Sequence, residues 1–288
     1  MNSLTDRFLD IANLSKDRLI LSNKTRKLPI RFYSDILNVG DQLNLHILKH
    51  ISNKEPFEVS SSLTPHILGI GSIAHLAGRG SYLWGCGMIG ISPAPLWRRI
   101  SQSQVLALRG SLTLEAFTQR GYRFTNLPLG DPAVLMSRFY SPASCSKAFR
   151  LGIIPHYIHK QTLSPLMAST DGNITLIDVQ TSCHEFIDNM LSCDYILSSS
   201  LHGLILADTF EIPNKWIKIK PDLFGGDFKF HDYYSTTDHP DENPEYFDPL
   251  LGVSGFCKAM INETSVKCFT LSKDALLDSF PSSVWIFN

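Results

Sequence analysis

The sequence lacks close pairs of cysteines, long apolar runs and an excess of charge of one sign. Its six cysteines form no C-x-x-C pair, which argues against a zinc site and favours reduced cysteines in a cytosolic interior. The net charge of −1 argues against a nucleic-acid partner. No stretch approaches the roughly 20 uninterrupted apolar residues of a membrane span. We therefore expect a cytoplasmic globular protein.

The N-terminal 25 residues also lack the basic start and continuous apolar core of a signal peptide. Their mixture of apolar and charged residues predicts an amphipathic helix. Two interpretations of this segment stay open. It is either a solvated helical arm or, with the basic residues Lys24, Arg26 and Lys27, a peripheral contact with the inner face of an anionic membrane.

Acidic residues are absent from one long stretch, which runs from Val59 to Leu114. The cations of this stretch are Arg79, Arg98, Arg99, Arg109, His66 and His75. Such an imbalance indicates an anionic ligand. Arg109 follows the predicted strand QVLAL, and its planar guanidinium suits a carboxylate or a phosphate. The alternative is a surface arginine bonded to loop carbonyls.

The same absence weakens the interpretation of GIGSIA (69–74) as a dinucleotide-binding turn. That motif needs an acidic residue about 20 positions later to bind the ribose hydroxyls. The corresponding segment here, IGISPAP (89–95), contains none. We therefore expect no nicotinamide cofactor, and no cluster of potential ligands indicates a metal.

Short apolar runs and helical patterns alternate along the chain. The predicted strands include LPIRFYS (28–34), QVLAL (104–108), FRLGIIP (149–155), ITLIDV (174–179), DYILSSS (194–200) and, as the last parallel strand, KWIKI (215–219). This alternation predicts an α/β fold with parallel sheets and right-handed crossovers. A break near residue 145 separates two predicted doubly wound domains, 1–145 and 146–288, that face a cleft.

Ligands of open parallel sheets bind beyond the carboxyl ends of the strands, so the turns at these ends are candidate sites. The stretch SSSLHGLILADTF (198–210) places His202 where a strand passes into a helix, close to backbone N–H groups that attract anions. Gly203 would let a ligand or another backbone come close. The alternative is a core histidine bonded to a neighbouring carbonyl.

Two further turns carry polar residues at such positions. NVGD (38–41) ends in Asp41, which either caps the next helix or accepts a proton from a substrate hydroxyl. IIPHY (153–157) places His156 at the end of the first strand of the second predicted domain.

The ordered set NVGD, GIGS, ALRGSLT, GDPAVL, IIPHY and SSLHGLILAD resembles the polysaccharide pyruvyltransferases over roughly residues 29–235. The resemblance implies a GT-B-like pair of Rossmann-like domains, with phosphoenolpyruvate as donor and no separate cofactor. It implies a sugar diol of a surface polysaccharide, or its lipid-linked precursor, as acceptor, and a cyclic pyruvate ketal as product. It also implies that His202 is the essential histidine of the family and that Arg109 contacts the donor.

The sequence departs from this family at one position. Several members carry arginine two residues before the histidine, where this chain has Ser200. Arg109, His156 or Lys229 of GGDFKFHDYYS must then meet the negative charge of the donor. The predicted site has His202 and Asp41 as acid–base residues, and Arg109, Ser200, Gly203, His156, Lys229 and Gly71 as substrate-binding residues, without a metal. The first predicted domain would lie on the acceptor side and the second on the donor side.

Two other functions remain open on the sequence alone. A nucleotide-sugar glycosyltransferase of the same fold would need an acidic residue late in the second domain to bind the nucleotide ribose. Asp208 and Glu211 are available, but they fall within or after a predicted helix. The other possibility is a non-catalytic relative in a polysaccharide-assembly complex, for which the serine at position 200 is the main argument.

Overall fold

The structure is a computed structural model that describes residues 4–22, 27–90, 94–142, 146–163, 172–247 and 251–281. Lys24 and Arg26 of the predicted basic cluster lie outside these residues. Contacts divide the chain into two units. The first comprises residues 1–34, 44–132 and 271–288, and the second comprises residues 35–43 and 133–270. We call them the first and second domains.

The helices alternate with short strands along the chain. Their bounds are α1 Leu4–Ser22, α2 Val39–Ser52, α3 Ala94–Ile100, α4 Ser111–Thr118, α5 Lys160–Leu163, α6 Cys183–Leu191, α7 Leu201–Thr209, α8 Phe228–Tyr234, α9 Gly252–Met260 and α10 Lys273–Asp278. No helix in the described ranges is both long and apolar enough to cross a membrane.

The strands form two parallel sheets of five strands each. Their bounds are β1 Lys27–Ile30, β2 Glu55–Glu58, β3 His66–Leu68, β4 Ser81–Trp84, β5 Gln104–Ala107, β6 Phe149–Ile154, β7 Ile174–Leu176, β8 Cys193–Ser198, β9 Asn214–Lys218 and β10 Glu245–Tyr246. The order is β2-β1-β3-β4-β5 in the first domain and β10-β9-β8-β6-β7 in the second.

The sheet of the first domain has an apolar interior built from its central strands. Leu28, Ile67 and Leu83 are completely buried, and Ile30 pairs with Ile67 across β1 and β3. The indole N–H of Trp84 donates to the backbone carbonyl of Leu276 at 3.0 Å. This hydrogen bond attaches α10 to the first sheet, which explains why the C-terminal segment belongs to the first domain.

The sheet of the second domain packs on one side against α9. Leu151, Ile153 and Leu197 of the sheet share a core with Val253 and Phe256 of that helix. Burying side chains of this kind contributes about 1.5–3 kcal/mol each. The near-continuous apolar runs of β6 and β8 follow from their burial on both faces of the sheet.

The predicted α/β fold with two Rossmann-like domains is confirmed. KWIKI is not the last parallel strand, because β10 pairs with β9 at the sheet edge. The sequence also gave no signal for β2, whose four residues EPFE carry a glutamate at each end. The predicted division into 1–145 and 146–288 differs from the observed grouping, in which residues 35–43 belong to the second domain. The backbone N–H of Val39 donates to the carbonyl of Val179 at 2.8 Å and connects this segment to the second domain.

Candidate active site

The junction between β8 and α7 positions His202. Ser198 ends the strand, and Ser200 adopts an extended conformation immediately before the helix. The hydroxyl of Ser198 accepts the backbone N–H of Ser200 at 3.0 Å and lies 3.1 Å from the carbonyl of Ile154. The turn is thus held by a side chain of the strand itself. His202 lies in the first turn of α7 and is partly buried.

Gly203 lets α7 approach the sheet closely. A Cβ atom at this position would lie 2.5 Å from the Ser198 hydroxyl oxygen and 2.9 Å from Cγ2 of Ile154. Both distances are shorter than real contacts, so a larger residue would push the helix away from the strands. The structure thus places Gly203 against protein atoms. The close approach of α7 to the strands sets the position of His202, the preceding residue of the helix, relative to the end of β8.

The imidazole of His202 packs against Gly40 in the first turn of α2. A Cβ atom on Gly40 would lie 2.1 Å from Nδ1 of His202 and 2.7 Å from both Cγ and Cε1. The ring therefore occupies the space that any other residue at position 40 would need. Asn38 caps this turn, since its Oδ1 accepts the backbone N–H of Gly40 at 3.0 Å.

Asp41 follows Gly40 and lies in the same first turn of α2. The side-chain cap observed at this turn comes from Asn38 rather than from Asp41. Burial raises the pKa of Asp41 to about 6, against the opposing influence of positive charge on His202 and Lys229. A carboxyl, an imidazole and an ammonium group therefore interact in the second domain.

Lys229, in α8, also interacts with His156 at the end of β6. Burial, with a smaller contribution from the charge of Lys229, lowers the pKa of His156 to about 3. His156 is accordingly a neutral imidazole at physiological pH. Its Nδ1 is buried and has no hydrogen-bond partner among the described residues.

A hydrogen-bond chain holds the backbone of His156 in place. Nε2 of His159 lies 2.8 Å from the carbonyl of Pro221, which can only accept, so Nε2 carries the proton. In the neutral ring, Nδ1 then accepts from the hydroxyl of Ser199 at 3.1 Å. The same hydroxyl oxygen accepts the backbone N–H of His156 at 2.9 Å. The donor and acceptor in each hydrogen bond are thus fixed, because the backbone N–H of His156 can only donate and the carbonyl of Pro221 can only accept.

A pocket lies beside this chain, beyond the carboxyl ends of β8 and β9. Its polar lining residues include His159, Ser199, Lys218 and Asp227, with Trp216 among the apolar ones. Lys218 and Asp227 form an ion pair at 2.9 Å. The pocket lies at the end of the sheet where ligands of parallel α/β folds bind.

Arg109 belongs to the first domain and is completely buried, which contradicts the surface alternative. Its Nη1 donates to the hydroxyl of Ser72 at 2.6 Å, and its Nη2 donates to the carbonyl of Met88 at 2.7 Å. A Cβ atom on Gly87 would lie 2.3 Å from its Cζ. The guanidinium therefore packs on the backbone of Gly87 and bonds the GIGS turn.

Gly71 of the GIGS turn has a φ of +118°, a conformation that favours glycine. Its carbonyl accepts the backbone N–H of Gly87 at 2.9 Å. Gly71 and Arg109 are thus brought together around one pair of turns in the first domain. His202, Asp41, His156, Lys229, Ser200 and Gly203 are brought together in the second.

Asp208, the acidic residue considered above for a nucleotide-sugar enzyme, has a different role in the structure. Asp208 lies within α7, where its carboxylate accepts from Asn214 Nδ2 at 2.6 Å, Tyr233 Oη at 2.9 Å and the backbone N–H of Lys267 at 2.9 Å. It is 8% exposed. These bonds commit Asp208 to the interior of the second domain. Glu211 follows the helix in a left-handed conformation, with φ of +57°.

Sequence reasoning missed four contributors to the site: Asn38, Gly40, Ser199 and His159. A glycine directly before an acidic residue in NVGD was the available signal for Gly40. Asn38 acts through a local bond to Gly40, whereas Ser199 and His159 depend on contacts between distant segments. No group of three or more His, Cys, Asp or Glu side chains suited to a metal occurs in the part of the chain that the structure describes.

Two parallel sheets, with polar side chains at the carboxyl ends of their strands, define a chain of two Rossmann-like domains. Residues 38–219 match the sequence model of the family described as "Polysaccharide pyruvyl transferase". The chain therefore belongs to the polysaccharide pyruvyl transferase family, which supports a transferase of polysaccharide pyruvylation. Lys229 lies outside the matched range.

A relative from Acanthamoeba polyphaga mimivirus, named "Uncharacterized protein L143", is 29% identical over 228 residues. The aligned region covers 75% of this chain and 76% of the relative. The similarity thus extends over most of both proteins, while the name of the relative carries no activity.

Proposed function

We propose that the protein transfers pyruvate from phosphoenolpyruvate to two hydroxyls of one sugar, forming a cyclic ketal and releasing phosphate. The observation that carries this proposal is the packing of His202 against Gly40, next to Asp41 and within the influence of Lys229. An acid–base ring, a carboxylate and a cation are the groups that this reaction requires. Family membership supports the pyruvyl group as the one transferred.

The reaction starts with protonation of the methylene carbon of phosphoenolpyruvate, which makes C2 electrophilic. A sugar hydroxyl then attacks C2 and loses its proton, and the C2–O bond to phosphate breaks. The second hydroxyl attacks the same carbon, loses its proton to the departing phosphate and closes the ring. We assign proton transfer to His202, a role usually worth about 10²–10⁴ in rate.

Asp41 is the proposed base for the acceptor hydroxyl. An ordinary aspartate is a weak base, and burial makes this one stronger by raising its pKa to about 6. General bases work best when their pKa lies near the operating pH. At neutral pH most of the Asp41 population is ionised and can accept a proton.

Lys229 is the proposed counter-ion of the donor in the second domain, where Ser200 offers no charge. His156 is neutral and offers a hydrogen bond from its buried ring. Arg109 remains a proposed donor-binding residue of the first domain. Its buried guanidinium would act through its charge and through Ser72, which it holds at 2.6 Å.

The proposal also covers the acceptor sugar and the compartment in which it is modified. We propose that the acceptor is a sugar diol of a surface polysaccharide or of its lipid-linked precursor, modified in the cytoplasm. The commitment of Asp208 to interior hydrogen bonds favours pyruvyl transfer over a nucleotide-sugar reaction. We propose that neither a metal nor a separate cofactor is required.

The test is to incubate the purified protein with phosphoenolpyruvate and a panel of p-nitrophenyl hexosides. Phosphate release that depends on the sugar, with a product mass increased by pyruvate less one water, is the expected result. His202→Ala should abolish both signals while it retains the circular dichroism spectrum of the wild type. His184→Ala, in α6, serves as a histidine control with wild-type turnover expected.

Several outcomes would count against the proposal. Sugar-dependent cleavage of a UDP-sugar, without reaction of phosphoenolpyruvate, would establish the glycosyltransferase alternative. Absence of phosphate release across a broad panel, with no thermal shift on addition of phosphoenolpyruvate, would favour a non-catalytic relative. Near wild-type turnover by His202→Ala would remove the assigned role of the ring.

A further inference from the structure

Two acidic side chains of helix α1, Asp10 and Asp17, face the protein. Asp10 accepts hydrogen bonds from the Ser61 hydroxyl at 2.9 Å and from the backbone N–H and hydroxyl of Ser62 at 2.8 and 2.7 Å. Asp17 accepts from the backbone N–H of Ser61 at 3.0 Å and from the Thr64 hydroxyl at 2.8 Å. The two aspartates thus attach α1 to the segment 60–64 through polar contacts.

The opposite face of α1 exposes three large apolar side chains. Leu9, Ile11 and Leu19 are 59%, 54% and 67% exposed. Ile11 and Leu19 are eight residues apart, so they lie on one side of the helix, with the exposed Ser15 between them. A helix of a globular protein usually turns such residues inward and its charges outward. In helix α1, Asp17 is instead buried while these three apolar side chains are exposed.

The charges on the exposed face are of one sign. Lys16 and Arg18 are exposed, whereas Asp10 is partly buried and Asp17 is 1% exposed. Among residues 9–21, whose side chains are described, no acidic side chain is exposed. Single exposed apolar residues are common, but three on one helix together with basic residues alone form a patterned surface.

We propose that the exposed face of α1, formed by Leu9, Ile11, Leu19, Lys16 and Arg18, binds the surface of a bilayer containing anionic phospholipids. The apolar side chains would enter the boundary between headgroups and acyl chains, and the basic side chains would pair with phosphates. Charge complementarity favours this occupant over a second copy of the chain, whose same face would bring like charges together. The inference does not depend on the proposed enzymatic function.

The test is co-sedimentation of the full-length protein with vesicles. One set contains phosphatidylcholine alone, and the other contains phosphatidylcholine with phosphatidylglycerol. We expect the protein to sediment with the anionic vesicles. The bound fraction should fall strongly in about 0.5 M salt, which screens exposed charges beyond a few ångströms. Leu19→Glu should lower the partition coefficient by about tenfold or more. Lys16→Gln with Arg18→Gln should lower it by about twenty-fivefold, at about fivefold per basic residue.

The matched control is Leu251→Glu, because Leu251 is 53% exposed and lies outside α1. It should bind vesicles like the wild type, as should His202→Ala. Binding that Leu19→Glu leaves unchanged would overturn the proposal, and so would equal binding to neutral and anionic vesicles. A dimer in analytical ultracentrifugation without vesicles, dissociated by Leu19→Glu, would show that the face binds a second copy instead. Circular dichroism of each variant checks that α1 is retained.

Discussion

Replacing Gly40 with alanine would move the His202 ring without changing the histidine itself. The new Cβ would lie 2.1 Å from Nδ1, whereas ordinary contacts begin at 3.4 Å, so the two groups must separate by about 1.3 Å. Misplacement of a reacting group by about 1 Å can cost about 100-fold in rate. We therefore expect kcat for phosphate release to fall by about 100-fold.

Stability should change little in this variant. Glycine within a helix is less favourable than alanine by about 1 kcal/mol, and this gain offsets part of the cost of moving the ring. The assay is phosphate release under saturating phosphoenolpyruvate, together with urea unfolding. The control is Gly255→Ala in α9, where the new Cβ meets Leu251 at an ordinary 3.5 Å. That variant should be slightly more stable and fully active.

A double variant separates displacement of the ring from other effects. If Gly40→Ala acts on the His202 ring, then it should raise the free energy of unfolding more in the His202→Ala background than in the wild type, because no ring opposes the new Cβ there. Turnover of Gly40→Ala within threefold of the wild type would refute the assigned position of the ring. An equal change in the free energy of unfolding in both backgrounds would show that position 40 acts independently of the histidine.

Three further changes test separate parts of the site. Asp41→Asn should stabilise the protein by up to about 3 kcal/mol at pH 8 and by nothing below pH 4. A raised pKa of about 6 means that folding favours the protonated carboxyl, so wild-type stability is lost as the pH rises through that value; parallel urea midpoints across pH would contradict this. In Gly87→Ala, the new Cβ would lie 2.3 Å from Cζ of Arg109 and displace the guanidinium. This variant should raise the KM for phosphoenolpyruvate about tenfold and leave the KM for the sugar unchanged. Equal effects on both KM values would argue against a donor-binding role of Arg109. Gly203→Ala should lower the free energy of unfolding by about 1–3 kcal/mol, because its Cβ would lie 2.9 Å from Ile154 Cγ2; an unchanged thermal midpoint would be inconsistent with the close packing of α7.

The local part of the fold could be predicted because local patterns produce it. The apolar runs FRLGII and CDYILS are buried parallel strands, and Ser182 caps α6 by accepting the backbone N–H of Glu185 at 3.3 Å. Strand β2 escaped prediction because its pairing with β1, rather than its own composition, makes it a strand. The two-residue β10 is too short to leave a periodic signal.

The candidate site could be predicted only as a set of turns. The rule that ligands bind at the carboxyl ends of parallel strands selected His202 and His156 from their positions alone. It could not show that Asp41 contributes to the second domain, because a hydrogen bond from Val39 to Val179, 140 residues away, decides this. Nor could it show the complete burial of Arg109.

The excursion of residues 35–43 into the second domain limits how the chain can be divided. A fragment or a hybrid made by cutting at residue 145 would carry His202 without the glycine that its ring rests on and without the neighbouring aspartate. Exchanging halves with a relative would pair a histidine from one parent with a loop from the other. Transplants between relatives should therefore move two segments together, residues 35–43 and 133–270, and take the remaining three segments from the second parent.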